Sequence, residues 1–123
     1  MTDITETIQK MIQPNLRKRL YVAFSYPVAS QEEMLARVPE HLTYMEQHED
    51  KIFLSGPFIK EGALVDQGMT ILHSHNEEEA AEFMRNEPLI KHGLRRFELR
   101  LWEIREGTLS VRISAAKSQG SLT

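Results

Sequence analysis

The chain contains no cysteine. That excludes disulfides, iron–sulfur clusters, thiolate zinc sites and a cysteine nucleophile. It has no apolar run near the ~20 residues that a membrane-spanning helix needs. Its start, Met1-Thr2-Asp3, lacks the basic region and apolar block of a signal peptide. It has no excess of basic charge: the net charge is −3 and the pI about 6.0, which speaks against a dedicated nucleic-acid binder. The run Arg17-Lys18-Arg19 is too short to alter that and solvates a segment end. No repeat, low-complexity stretch, phosphate-cradling glycine loop or Ser-His-Asp order is visible. A soluble, cytoplasmic protein with neither nucleic-acid nor membrane partners is expected.

What is present is 123 residues, enough for one domain with a single core. Ile4, Ile8, Met11 and Ile12 share a face of a helix over residues 1–13, capped by Thr2 or Asp3 and stopped by Pro14. Residues 20–26 alternate as a strand with small or apolar groups on both faces, and Pro27 ends it. Ser30 opens a long helical segment with Glu33 at capping-box spacing, and Pro39 imposes a kink or restart near Val38. Asp50-Lys51 closes it.

Ile52–Ser55 reads as a second strand broken by Gly56-Pro57, residues 60–67 as a loop, and Gly68–Ser74 as a third strand. Asn76 caps a helix whose first turn holds Glu77, Glu78 and Glu79, and Pro88 ends it. Residues 89–93 form a turn with Gly93 as its cap. The last long strand spans residues 94–105, where Phe97, Leu99 and Leu101 alternate with Arg96, Glu98 and Arg100. Trp102 and Ile104 then switch parity, as at a bulge or a new partner. Glu106-Gly107 suits a hairpin turn into a strand over 108–113, followed by a polar tail expected to be disordered.

The order β-α-β-β-α-β predicts an α+β, ferredoxin-like arrangement with two helices on one face of an antiparallel sheet. The divisions are an N-terminal helical extension (1–19), the central domain (20–105), and a C-terminal strand and tail (106–123). One sheet face is left open in such a unit, so a homodimer or higher homo-oligomer is expected.

The residue that stands out is His41. Val38, Leu42 and Met45 recur at helical spacing and mark a packing face, and His41 lies at its border. A histidine there needs a partner: a backbone carbonyl if structural, or a carboxylate or ligand if it serves as an acid or base. Glu87 is the candidate carboxylate, set to fix the imidazole tautomer; the competing reading is a structural ion pair. Ser25, Tyr26 and Ser55, at strand ends, are candidate substrate-orienting groups, joined by Pro57 and by His92 at a pocket mouth. His73-x-His75 would present two imidazoles on one strand face if the strand reached that far, but no third ligand is placed nearby, so no metal site is assigned. His48 sits near a helix end, where the dipole accounts for it. Met34, Met45, Met69 and Met84 read as core fillers.

In Leu20-Tyr21-Val22-Ala23-Phe24, His41-Leu42, Ser55-Gly56-Pro57-Phe58, Glu77-Glu78-Glu79-Ala80, Asn86-Glu87-Pro88-Leu89-Ile90 with Gly93, and Leu101-Trp102, the chain resembles the YCII-related (YciI-like) family over residues 20–104. The resemblance implies a dimeric α/β barrel of ferredoxin-like units akin to muconolactone isomerases, with a His–Asp pair in a small pocket at the sheet. It implies work on small aromatic-degradation intermediates, as in a dehydrochlorinase of a chlorinated hydroxyhydroquinone. His41 matches the family histidine. The family aspartate precedes a proline in a D-P-[YF] stretch, and here that position is Glu87, one methylene longer.

Three functions follow as expectations. The first is a small enzyme without cofactor, a lyase or isomerase that uses His41 and Glu87 on a cyclic or aromatic substrate. The second is a non-catalytic binding or regulatory module with the same pocket. The third is a cofactor-free monooxygenase.

Overall fold

The computed structural model describes residues 18–63 and 65–108. The chain divides into two compact units. Residues 19–103 form one, which holds the site described below. The other joins residues 1–18 to residues 104–123 and is described only at Lys18 and residues 104–108. The expected helix over 1–13, the strand over 108–113 beyond Thr108, and the tail lie outside the described residues.

The elements follow from local signals. Strand β1 (Lys18–Pro27) carries the alternating segment and ends at the proline. Ser30 caps helix α1 (Gln31–Ala36), its Oγ accepting from Glu33 N at 3.2 Å while donating to the Glu33 carboxylate at 3.2 Å. Helix α2 (Val38–Gln47) restarts after Arg37, with Pro39 in its first turn, where a missing N–H costs nothing. A short 3₁₀ turn (Glu49–Lys51) leads into β2 (Ile52–Pro57), then β3 (Gly68–Leu72).

Asn76 Oδ1 accepts from Glu79 N at 2.8 Å to start α3 (Glu77–Asn86). Pro88 opens the single-turn α4 (Pro88–Lys91), and Gly93, at φ 74°, takes the left-handed conformation that follows it. Strand β4 (Arg95–Ile104) closes the order.

The sheet order is β2-β3-β1-β4, antiparallel, the ferredoxin-like arrangement. In the β1–β3 register Tyr21 faces Leu72, Ala23 faces Thr70 and Ser25 faces Gly68. Tyr21, Ala23 and Leu72 therefore lie on one face, with Ala80, Phe83 and Met84 of α3 packed against them. Removing Phe83 from such a core costs about 3–5 kcal/mol.

Several expectations are corrected. Strand β2 does not stop at Gly56-Pro57: Gly56 pairs with Met69 and Pro57 with Gly68. The sheet order explains this, because β2 is an edge strand, where a proline is tolerated. A register shift falls in β2, between Ile52 and Leu54, and in β4 both Leu101 and Trp102 are exposed. Strand β3 ends at Leu72, so His73 and His75 share no strand face. On the sheet face away from the helices, Leu20, Val22 and Ile71 are buried.

Helix α2 is turned differently from the expected stripe. Leu42 is 60% exposed, while Val38, His41 and Met45 line a partly open cavity. On the helical wheel Leu42 lies about 100° from its neighbour His41. The histidine occupies the middle of the inward face rather than its border.

Candidate active site

Glu87 is placed by the proline that follows it. A residue before proline is driven to extended backbone, and Glu87 has φ −64° and ψ 129°. The chain turns there from α3 into α4, and the carboxylate folds back over the new helix start. Its Oε1 accepts from Leu89 N and its Oε2 from Ile90 N, each at 3.1 Å. The side chain is buried, and Oε1 also meets His41 Nδ1 at 2.6 Å. A carboxylate has only acceptors to offer, so Nδ1 carries the proton and donates. In the neutral ring Nε2 then bears the lone pair, and it has no protein partner among the described residues. The imidazole is 30% exposed at the cavity wall.

Tyr44, one turn further along α2, supports this arrangement. Its hydroxyl donates to Phe83 O at 2.8 Å. Burial, then the nearby Glu87 and Glu82 carboxylates, push its pKa up to about 12. It therefore stays a neutral donor at ordinary pH. His48 donates from Nδ1 to Tyr44 O at 2.8 Å and lies against the Tyr44 and Phe83 rings, a structural placement.

The cavity has a volume of about 190 Å³. Helix α2 and the α3–α4 junction bring His41 and Glu87 to it, and strands β1, β2 and β3 bring Ser25, Ser55, Pro57 and Thr70. Ser55 Oγ and Thr70 Oγ1 share a hydrogen bond of 2.8 Å. Arg95, at the start of β4, reaches the same wall and is 8% exposed. Its Nε donates to Ser25 Oγ at 2.6 Å and its Nη2 to the carbonyls of Ser25 and Asp66 at 3.1 and 2.6 Å. Burial lowers the guanidinium pKa from its usual value, against the opposing effects of Glu87 and Asp66.

Among the expected site residues, His41, Glu87, Ser25, Ser55 and Pro57 are brought together. Tyr26 and His92 are not. The Tyr26 hydroxyl donates to Glu98 at 3.3 Å and Arg96 covers its ring, on the sheet face opposite the cavity. A strand alternates its side chains, so Ser25 and Tyr26 cannot both face one pocket. His92 stands at the surface beside Arg37 and Glu40. Of the methionines, Met34 and Met84 are buried in the core and Met45 packs against it, while Met45, Met69 and Met84 also line the cavity. Among the described residues no group of three or more His, Asp or Glu is placed to hold a metal ion.

Arg95, Thr70 and Asp66 enter the site without having been singled out. For Arg95 a signal existed: it shares strand parity with Phe97 and Leu99, which marks an arginine on an apolar face.

The family model described as the YCII-related domain matches residues 19–103. No curated protein sequence matches the chain. A solved 5-chloro-2-hydroxyhydroquinone dehydrochlorinase, TftG from Burkholderia phenoliruptrix AC1100 in complex with 2,5-dihydroxybenzoquinone, is similar in fold at a TM-score of 0.60 and 22% identity. The match covers 68% of this chain and 92% of that one.

Proposed function

The chain belongs to the YCII-related domain family, and from that premise we propose that it is a small enzyme, a lyase or isomerase, that moves a proton with His41 on a single-ring substrate. The observation that carries this reading is the 2.6 Å bond from His41 Nδ1 to Glu87, which leaves Nε2 unengaged at a cavity wall. The dehydrochlorinase of similar fold, which holds a dihydroxybenzoquinone, supports the choice of reaction and substrate. The volume supports it as well. A cavity of about 150 Å³ holds benzene, so about 190 Å³ suits one ring with a few small substituents.

In an elimination, Nε2 takes a proton from a ring hydroxyl or ring carbon. The electron pair left behind forms the new double bond, and the leaving group departs with its own pair, as chloride where the substituent is chlorine. Glu87 holds the ring in the productive tautomer and offsets the imidazolium charge that forms. In an isomerisation the same proton returns to a different atom and composition is unchanged. Neither course transfers electrons to a cofactor, so none is invoked. Ser25 and Ser55 orient ring oxygens, and Pro57 packs against the ring. A homodimer belongs to the same reading, supported by Leu54 and Trp102, both exposed on the sheet face away from the helices. Sedimentation of the full chain tests that part.

The test of the activity is a panel of chlorinated hydroquinones and muconolactones, followed by chloride release and ultraviolet spectra. His41→Ala should keep its circular dichroism and lose about 10²–10⁴-fold in turnover. Equal turnover in the variant removes the proposal. Ligand-induced shifts with no product from any substrate would favour a binding module instead.

A further inference from the structure

We propose that Arg95 forms an anion subsite of this cavity, and that the substrate is therefore an anionic single-ring compound carrying a carboxylate or an ionised ring hydroxyl. The inference rests on the cavity being the substrate site, as argued above, and adds the chemical class.

A guanidinium has five N–H donors. In Arg95, Nε–H goes to Ser25 Oγ, and Nη2 goes to the carbonyls of Ser25 and Asp66. Nη1 reaches Met34 Sδ at 3.8 Å, a weak acceptor, which leaves it one further N–H. Every one of these partners is neutral. By contrast, the exposed Arg19, Arg37, Arg85 and Arg96 each pair with a glutamate. The most buried of these guanidinium groups is thus the one whose contacts include no carboxylate among the described residues.

A buried cation without an anion is costly unless one arrives. The Glu87 and Asp66 carboxylates act on Arg95 from beyond ion-pair distance and do not offset its burial. Contacts from β1, the 60–67 loop and α1 lock the group at the cavity wall before any ligand binds. Ser25 Oγ accepts from Arg95, so its own hydroxyl proton can turn to the same ligand oxygen. A purely structural strut between β1, β4 and the loop would use the same carbonyl contacts but would not discriminate between charged and neutral ligands.

The experiment is an NMR titration of the full chain with 2,5-dihydroxybenzoate and with its methyl ester, which has the same ring and no carboxylate. The acid should bind at least about tenfold more tightly, and the Arg95 Nε–H resonance should move with the acid alone. Arg95→Met should bring the two affinities together, Arg95→Lys should retain part of the preference, and His41→Ala should retain it in full. Equal binding of acid and ester by the wild type, binding of neither, or a preference that survives Arg95→Met overturns the subsite. If Arg95→Met does not fold, the wild-type ratio with the Nε–H shift and Arg95→Lys decides. Acid preference without turnover on any substrate upholds the subsite and removes the catalytic reading. Turnover of neutral rings with no acid preference does the reverse.

Discussion

Two histidine–glutamate contacts join the same pair of elements and differ in nearly everything else. Glu40 and His41 are neighbours on α2; Glu87 and His92 flank the single turn of α4. His41 meets Glu87 at 2.6 Å with side chains 30% and 5% exposed, whereas His92 meets Glu40 at 3.7 Å with side chains 39% and 52% exposed. Glu87 is held by two backbone N–H groups of the helix it caps, while Glu40 is shared with the solvent-exposed Arg37 guanidinium at 3.1 Å. Residue type is the same in both. Burial and the helix cap make one of them a fixed pair; exposure leaves the other a solvated contact worth little. Side-chain identity alone therefore does not distinguish the two contacts; a buried carboxylate held by three donors does.

The comparison can be broken most sharply through activity. On a substrate that the wild type turns over, His41→Ala should cost about 10²–10⁴-fold, and His92→Ala should stay near wild type. Similar losses for the two would erase the distinction.

Stability gives the next largest effect. Glu87→Ala leaves Leu89 N and Ile90 N uncapped in a buried setting and should cost about 2–3 kcal/mol. Glu40→Ala, at the surface, should stay within about 0.5 kcal/mol. Urea midpoints with unchanged slopes measure both.

A smaller effect comes from the phenol beside the buried pair. Tyr44→Phe removes the bond to Phe83 O and should cost about 1 kcal/mol. Its raised pKa favours folding while the phenol is neutral. That contribution is complete below the ordinary tyrosine value of 10.0 and is lost as pH rises towards about 12. Absorbance of the phenolate against pH should show one tyrosine titrating late in the wild type and not in Tyr44→Phe.

The smallest effect is the response to salt. In 1 M salt, where screening acts within ~3 Å, nitrogen shifts of His41 should keep the signature of a proton on Nδ1. Those of His92 should move towards an unpaired ring. A His41 ring that changes tautomer with salt would place it with the surface pair.

The parts legible in the sequence are those decided within a few residues. Ser30 and Asn76 cap their helices with side chains that reach three residues ahead. Pro39 and Pro88 divide the helices because a proline lacks the donor an interior turn requires. The alternation in residues 20–26 builds a strand, and the element order yields the ferredoxin-like sheet. What the sequence left open was which way each face turns. Helical spacing groups Val38, His41, Leu42 and Met45, but packing on the sheet puts His41 at the centre and Leu42 in solvent. Alternation separates Ser25 from Tyr26, but only the arrangement of helices decides which of them sees the cavity. Gly56-Pro57 reads as a break, yet the neighbour β3 extends the strand through it.

The site itself is a product of tertiary structure. His41 meets Glu87 across 46 residues, and Ser25 meets Arg95 across 70. Local propensity has no term for contacts at that separation. Caps, breaks and alternation are energies of neighbouring residues, and the sequence determines them directly. A buried guanidinium facing a histidine–carboxylate pair is created only when strand register and helix packing close one cavity around both.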